Sequence, residues 1–277
     1  MNMKDQAKKA ERFLELHHSK KLLVLPNIWD VLGARLLEKS GFQAVATASA
    51  SVAYSNGYRD GEYISFDRLL NILAPICRST LLPVSADIER GYAESNTALL
   101  TNIKSLIRYG VVGINIEDSV EEGKQLVSVE RQCERIELIR KAARREGVPL
   151  VINARTDIFL SKDFKGDKVA EAVRRAQNYK NAGADCFYPI LCDANELMEI
   201  NAQIDLPVNV LATKDTPPMT ELENSGISRL SLGPGLLKAA LTKMREVVAE
   251  LKSYGGYGSF THPGIISSQE IVDMISG

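Results

Sequence analysis

Three short segments of the 277-residue sequence end apolar runs with groups able to do chemistry. "LPVSADIERGY" sets Asp87 and Glu89 two residues apart, and "VGINIEDS" puts Glu117 beside Asp118. "VINARTD" brings Asn153, Arg155 and Asp157 at alternate positions. In an extended strand, residues i and i+2 share a face. Asp87 is therefore expected to point with Glu89, Glu117 with Asn115, and Arg155 with Asn153. Where those faces meet, three carboxylates and a guanidinium surround one point. Like charges held together disfavour their own ionisation, and a hard divalent cation removes that cost. Oxygen-only donors with retained waters suit Mg2+, with Mn2+ the alternative. For any one of these acids, a solvated loop-end charge or an arginine partner explains it equally well; convergence of the set favours a metal site at Asp87, Glu89 and Glu117.

Two further segments extend the candidate site. "TASAS", residues 47–51, is small and hydroxyl-rich. Thr47, Ala48 and Ser49 let backbone N–H groups approach an anion, and Thr47, Ser49 and Ser51 add hydroxyls. A substrate carboxylate is the expected ligand. "NGYRDGE" follows as a turn in which Asp60 is an orienting or gating carboxylate. "SLGPGLL" reads equally as a phosphate-cradling turn and as the plain start of a helix.

A scaffold must bring these segments together. Apolar, β-rich runs at 22–27, 44–49, 82–89, 112–118, 149–157, 186–191, 207–212 and 229–233 alternate with segments of helical spacing, such as the Leu99, Leu100, Ile103, Leu106, Ile107 stripe. Repeated strand–helix alternation predicts a (β/α)8 barrel, one domain over residues 1–277. A doubly wound sheet is disfavoured because "PNIWDVLGARL" lacks a glycine-rich dinucleotide fingerprint. In such a barrel the active site lies at the C-terminal ends of the strands. That filter selects the acids above, with Asn27 and Asp30 after the first strand. The segment 254–277 reads as a turn-rich link and a short helix with a capping box at Ser267 and Glu270. It is expected to cover either its own barrel or a neighbouring subunit.

Composition narrows the function. Hydrophobic residues make up 45% of the chain and charged residues 25%, with a formal net charge of −1 and scattered Lys and Arg. No basic footprint for nucleic acid or an anionic membrane is present, and no apolar run is long enough to span a bilayer. A cytoplasmic protein is expected. The four cysteines are isolated, which argues against a zinc site or a disulfide framework. His17, His18 and His262 are the only histidines, so histidine acid–base chemistry in the barrel is not expected.

At these residues the sequence resembles the isocitrate lyase/phosphoenolpyruvate mutase superfamily, from about Leu22 to the last barrel helix. The resemblance is carried in order by "NIWDVLGARLLEKSGFQAVATASAS", "GYRDGE", "LPVSADIERGY", "GVVGINIEDS" and "INARTD". It implies a (β/α)8 barrel, a homo-oligomer (dimer or tetramer) with exchanged final helices, and a Mg2+ site for 2-oxo or 2-hydroxy carboxylates. It implies Asp87 as the direct metal ligand, with Glu89 and Glu117 acting through metal-bound waters. Thr47, Ala48 and Ser49 match the turn that binds substrate, Arg155 the arginine that stabilises developing negative charge, and Asp60 the acid of the gate. Two features depart from it. The lyase branches carry a Lys-Arg-Cys-Gly-His loop after strand four, where this chain has "VEEGKQLVS"; that speaks against isocitrate or methylisocitrate cleavage. The mutase branch carries a tryptophan near the strand-two turn and an asparagine in the gate loop, where this chain has Ala46 and no counterpart. The expected activity is a Mg2+-dependent lyase that breaks a C–C bond through an enolate, as an oxaloacetate decarboxylase does. A C–P bond enzyme of phosphonopyruvate type and a metabolite-binding barrel without turnover are the alternatives.

Overall fold

Parallel strands covered on their outer face need nearly continuous apolar runs and a helix between each pair, and that alternation is what forms. The computed structural model describes residues 2–120 and 125–276. The strands are β1 (Leu23–Leu25), β2 (Asn27–Ile28), β3 (Val45–Thr47), β4 (Val84–Asp87), β5 (Gly113–Glu117), β6 (Val151–Thr156), β7 (Cys186–Pro189), β8 (Asn209–Leu211) and β9 (Arg229–Ser231). β1 and β2 are one stave interrupted at Pro26, which has no N–H to give the ladder. The Pro26 carbonyl still accepts from the Ala46 amide at 3.1 Å.

β2 to β7 pair in sequence order, and β8, β9 and β1 form a second run, all parallel. The gap between β7 and β8 is closed by a Phe187–Val208 bridge and by the Phe187 amide donating to Pro207 O at 2.8 Å. Eight staves therefore close into the expected (β/α)8 barrel, all but the first shorter than their apolar runs. The main core lies between staves and helices, where Leu69, Leu73, Ile103, Leu106, Ile114, Ile136 and Ile152 are buried.

The helix Met3–His17 packs beneath the barrel. Gln6 donates from Nε2 to Ile107 O and Val111 O (2.6 and 3.1 Å). The Phe13 ring lies so close under β5 that a Cβ on Gly113 would stand 2.5 Å from it, so glycine is required there by space. At the other end of the chain, the helix Ser268–Ser276 starts with the expected capping box, Ser267 and Glu270 each bonding the other's amide. It packs on the helix Val31–Lys39 of the same chain and buries Met274. Among the described residues, no helix is long and apolar enough to cross a membrane.

Candidate active site

Strand register sets the site. Asp87, Asn115 and Asn153 stand side by side on β4, β5 and β6, and Glu117, Arg155 and Tyr188 do so one rung higher on β5, β6 and β7. The lower row forms a relay: Asn153 Nδ2 donates to Asn115 Oδ1, and Asn115 Nδ2 donates to Asp87 Oδ1, each at 2.9 Å. Asp87 Oδ2 accepts the Ser49 amide at 3.0 Å, and the Asp87 amide donates to Thr47 Oγ1 at 3.1 Å. The turn Thr47–Ala48–Ser49 therefore reaches the site as expected. In this structure, though, two of its polar groups hold Asp87 in place instead of facing an open anion site. A cavity of about 230 Å3 opens above this row and takes in Thr47, Ala48, Ser49, Asp60, Asp87 and Arg155.

In the upper row Arg155 is, among the described residues, the only guanidinium paired with the carboxylates. It contacts Glu117 at 2.9 Å and Asp157 at 2.6 Å. Burial alone would lower its pKa, but Glu117 and Asp157 outweigh that and hold it well above its ordinary value. Burial raises Glu117 to about 7, opposed by Arg155 and helped by Asp157 and Asp87. Burial also raises Glu89 to about 8, reinforced by the charges of Asp60 and Asp87. Asp60 is raised in turn by burial and by Asp87, and its Oδ1 is buried with no hydrogen-bond partner. Four acids thus share one mouth with an arginine that is already half spent on Asp157.

The strand-alternation argument for Asp87 and Glu89 does not hold. β4 ends at Asp87, and Glu89 takes a left-handed backbone (φ 49°). Its carboxylate accepts from the Tyr92 hydroxyl at 2.8 Å and, with Glu117, lines an adjoining lobe of about 410 Å3. Ser49, Tyr54, Asp60 and Arg155 border both spaces. Among the described residues, no three acidic, cysteine or histidine side chains form a direct cage for an ion. Asp87, Glu89 and Glu117 are therefore not a three-carboxylate clasp, because hydrogen bonds and an ion pair already orient each of them.

Other candidates make structural bonds, although Asn27 also lines the 230 Å3 cavity. Asn27 donates to Thr47 O at 2.9 Å and accepts the amides of Leu232 and Gly233 at 2.8 and 3.0 Å. It ties three staves together and satisfies the "SLGPG" turn without a phosphate. Asp30 caps the helix Val31–Lys39 by accepting the Gly33 amide. Asp118 faces away from the barrel interior, bonded to Arg175 and Tyr179. In the "VEEGKQLVS" loop, residues 121–124 lie outside the described residues. Sequence reasoning missed Tyr54, Tyr92, Ser85 and Arg229. Of these, only Arg229 had a signal: a charged residue opening an otherwise apolar stave.

With this geometry in view, comparison with known proteins is specific. The family model described as phosphoenolpyruvate phosphomutase matches residues 13–252. An uncharacterized protein of Mycobacterium tuberculosis is 34% identical over 225 residues, 80% of this chain and 81% of the relative. A 2-methylisocitrate lyase of Halalkalibacterium halodurans is 28% identical over 264 residues, 91% of this chain and 85% of the relative. Among solved structures, a "putative phosphonomutase" from Burkholderia cenocepacia is 35% identical with a TM-score of 0.82, covering 91% of this chain and all of that one.

Proposed function

The chain belongs to the phosphoenolpyruvate phosphomutase family, and from that premise we propose that it is a Mg2+-dependent lyase. It would break a C–C bond in a small 2-oxo or 2-hydroxy carboxylate through an enolate, as in decarboxylation of an oxaloacetate-like acid. The observation that supports this most is the placement of Arg155 across one small cavity from Asp87, with Asp60 bordering it and Glu117, bonded to Arg155, lining the adjoining lobe.

The donor set fits a hydrated divalent cation. It is all oxygen, it carries more negative charge than Arg155 neutralises, and Asp60 leaves a buried oxygen without a partner. Asp87 would hold the ion directly, and Glu89 and Glu117 through water. Once bound, such an ion supplies Lewis-acid stabilisation of charge on a substrate oxygen.

The chain's own groups define the rest. When the bond from the α-carbon to the departing carboxylate breaks, CO2 leaves, the bonding pair becomes the enolate C=C bond, and the carbonyl π pair moves onto the carbonyl oxygen. Arg155, fixed by Glu117 and Asp157 before substrate arrives, stabilises that developing charge without reorganising. The Asn153–Asn115 relay keeps Asp87 from rotating. Among the described residues no cysteine or histidine lines the cavity, and in this reading water protonates the enolate carbon.

The test is a screen of oxo acids with and without Mg2+ that follows pyruvate release, paired with oxalate binding as an enolate mimic. Mg2+-dependent oxalate binding and pyruvate release are expected in the native chain. Asp87→Ala should lose both while staying folded. Oxalate binding indifferent to Mg2+, with no acid turned over, would overturn the reading. A C–P bond reaction is the second reading, favoured by the family model and the phosphonomutase structure; phosphonopyruvate belongs in the same screen. A binder without turnover would show ligand stabilisation and no product. The reading includes a homo-oligomer. Leu241, Met244, Val248 and Leu251 stand exposed along one side of the helix Gly235–Lys252, and a second copy would cover them. Gel filtration at the mass of a single chain would count against that.

A further inference from the structure

The turn after β4 is tightly wound and pinned. Glu89, Gly91 and Tyr92 all take left-handed backbones (φ 49°, 94° and 53°). The Glu89 carbonyl accepts the Glu117 amide at 2.9 Å, which fastens the turn to β5. Arg90 projects from this platform into the wall of the 410 Å3 lobe. Its guanidinium reaches two other segments: Nη2 donates to Gly61 O at 3.0 Å and pairs with Glu62 Oε2 at 3.3 Å, and Nη1 donates to Val120 O. Glu62 closes a ring, because its Oε1 accepts the Tyr92 amide at 2.7 Å. Val120 belongs to the return after β5, where its amide donates to Gln125 O at 2.7 Å. One side chain therefore ties the Gly61–Glu62 segment, the β4 turn and that return together.

Asp60 stands next to this tie. It borders both spaces of the site, and its Oδ1 is buried with no hydrogen-bond partner among the described residues. A carboxylate on a loop free to swing would turn such an oxygen to water, because burying it unpaired is costly. The next residue but one, Glu62, holds a left-handed backbone (φ 64°) that a glutamate keeps only where its surroundings fix it. Arg90 supplies that fixing at both Gly61 and Glu62. We propose that Arg90 is a positioning residue, which sets Asp60 over the site before any ligand arrives, so that Asp60 serves the hydrated ion as an orienting acid of a preset mouth. This rests on the reading of the site as a Mg2+ site and goes further by assigning what holds one of its acids in place. A planar fork spans these three acceptors on two segments; a lysine ammonium on a flexible stem does not reproduce it.

Two measurements on Arg90→Gln test this. The first is trypsin cutting after Arg59, an exposed residue beside Asp60, followed by the mass of the fragments in the ligand-free protein. Cutting needs the segment to open locally, and it should rise about 10-fold in the variant, the scale of losing a charge-assisted contact. The second is the Mg2+ concentration that half-saturates oxalate binding, read by calorimetry. It should also rise about 10-fold in Arg90→Gln. In a chain that already carries Asp60→Ala, adding Arg90→Gln should move that concentration by less than about twofold, because Arg90 acts through Asp60. Should Arg90→Gln fail to fold by its melting curve, Glu62→Gln breaks the same tie from its other side and should shift both readings in the same direction, by less. Unchanged cutting would mean that the segment is held without Arg90, and the inference falls. It falls equally if cutting rises while the Mg2+ requirement stays put, or if Arg90→Gln keeps its full effect on top of Asp60→Ala. A native chain that binds no oxalate with Mg2+ would instead sink the reading of the site, and this inference with it.

Discussion

Glu117 and Asp118 are neighbours in sequence, are both buried, and both bond an arginine, yet they belong to different machines. Glu117 points into the barrel, where Arg155 joins it at 2.9 Å beside an open cavity. Asp118 points outward, where its oxygens accept from Arg175 at 2.8 Å, Tyr179 at 2.7 Å and the Asp157 amide at 2.9 Å. Every donor in the outer set is satisfied from within the chain, so that set holds helix to stave. The inner set has acids in excess of its arginine and an Asp60 oxygen with no partner among the described residues. The alternation of one strand decides which acid does which.

The largest effect should come from breaking the outer pair. Asp118→Ala leaves Arg175 buried without its carboxylate, and stability should fall by about 3–5 kcal/mol, read in urea unfolding, with substrate KM little changed in the molecules that remain folded. Arg155→Lys should do the opposite. We expect kcat to fall by about 10^2–10^3, the scale of losing one preorganised donor to developing charge, with the melting temperature nearly unmoved. If Arg155→Lys instead unfolds the protein and spares turnover, the division between the two sets is wrong.

A finer test lies at the foot of the barrel, where burial, then the charge of Arg229, then His18, push His17 down to about 3 against the help of Phe13 O. The unfolded chain takes up that proton near pH 6.5, while the folded chain does not. Stability should therefore fall as pH drops below about 6.5, at up to roughly 1.4 kcal/mol per pH unit. His17→Gln should flatten that part of the curve. An unchanged slope would show that His17 is protonated in the folded state.

The sequence made the barrel legible because apolar runs and helical stripes repeat in step: seven staves fall inside the expected runs, and the first passes the end of its run by one residue, Ile28. It also located Asp60, Asp87, Glu117 and Arg155 at one mouth, since a parallel barrel gathers its strand ends. Glu89 escaped that logic because a left-handed residue breaks the two-residue period where the strand ends. Thr47 and Ser49 were legible as polar groups at the site, but not as the clamp on Asp87, because long-range hydrogen-bond partners leave no local pattern. Asn27 was legible as a residue of the mouth, where it lines the cavity, but not as a tie between staves, because its partners lie 20 and 205 residues away.

The closeness of Phe13 to Gly113 has one more consequence. The amino-terminal helix is the cork of this vessel, and Ser85 and Arg229 stand just inside it. Drawing it out, by deleting residues 2–17, would let bulk solvent rise to the polar floor from below. Deuterium should then enter the amides of β4 and β5 in the shortened chain before any global melting is seen.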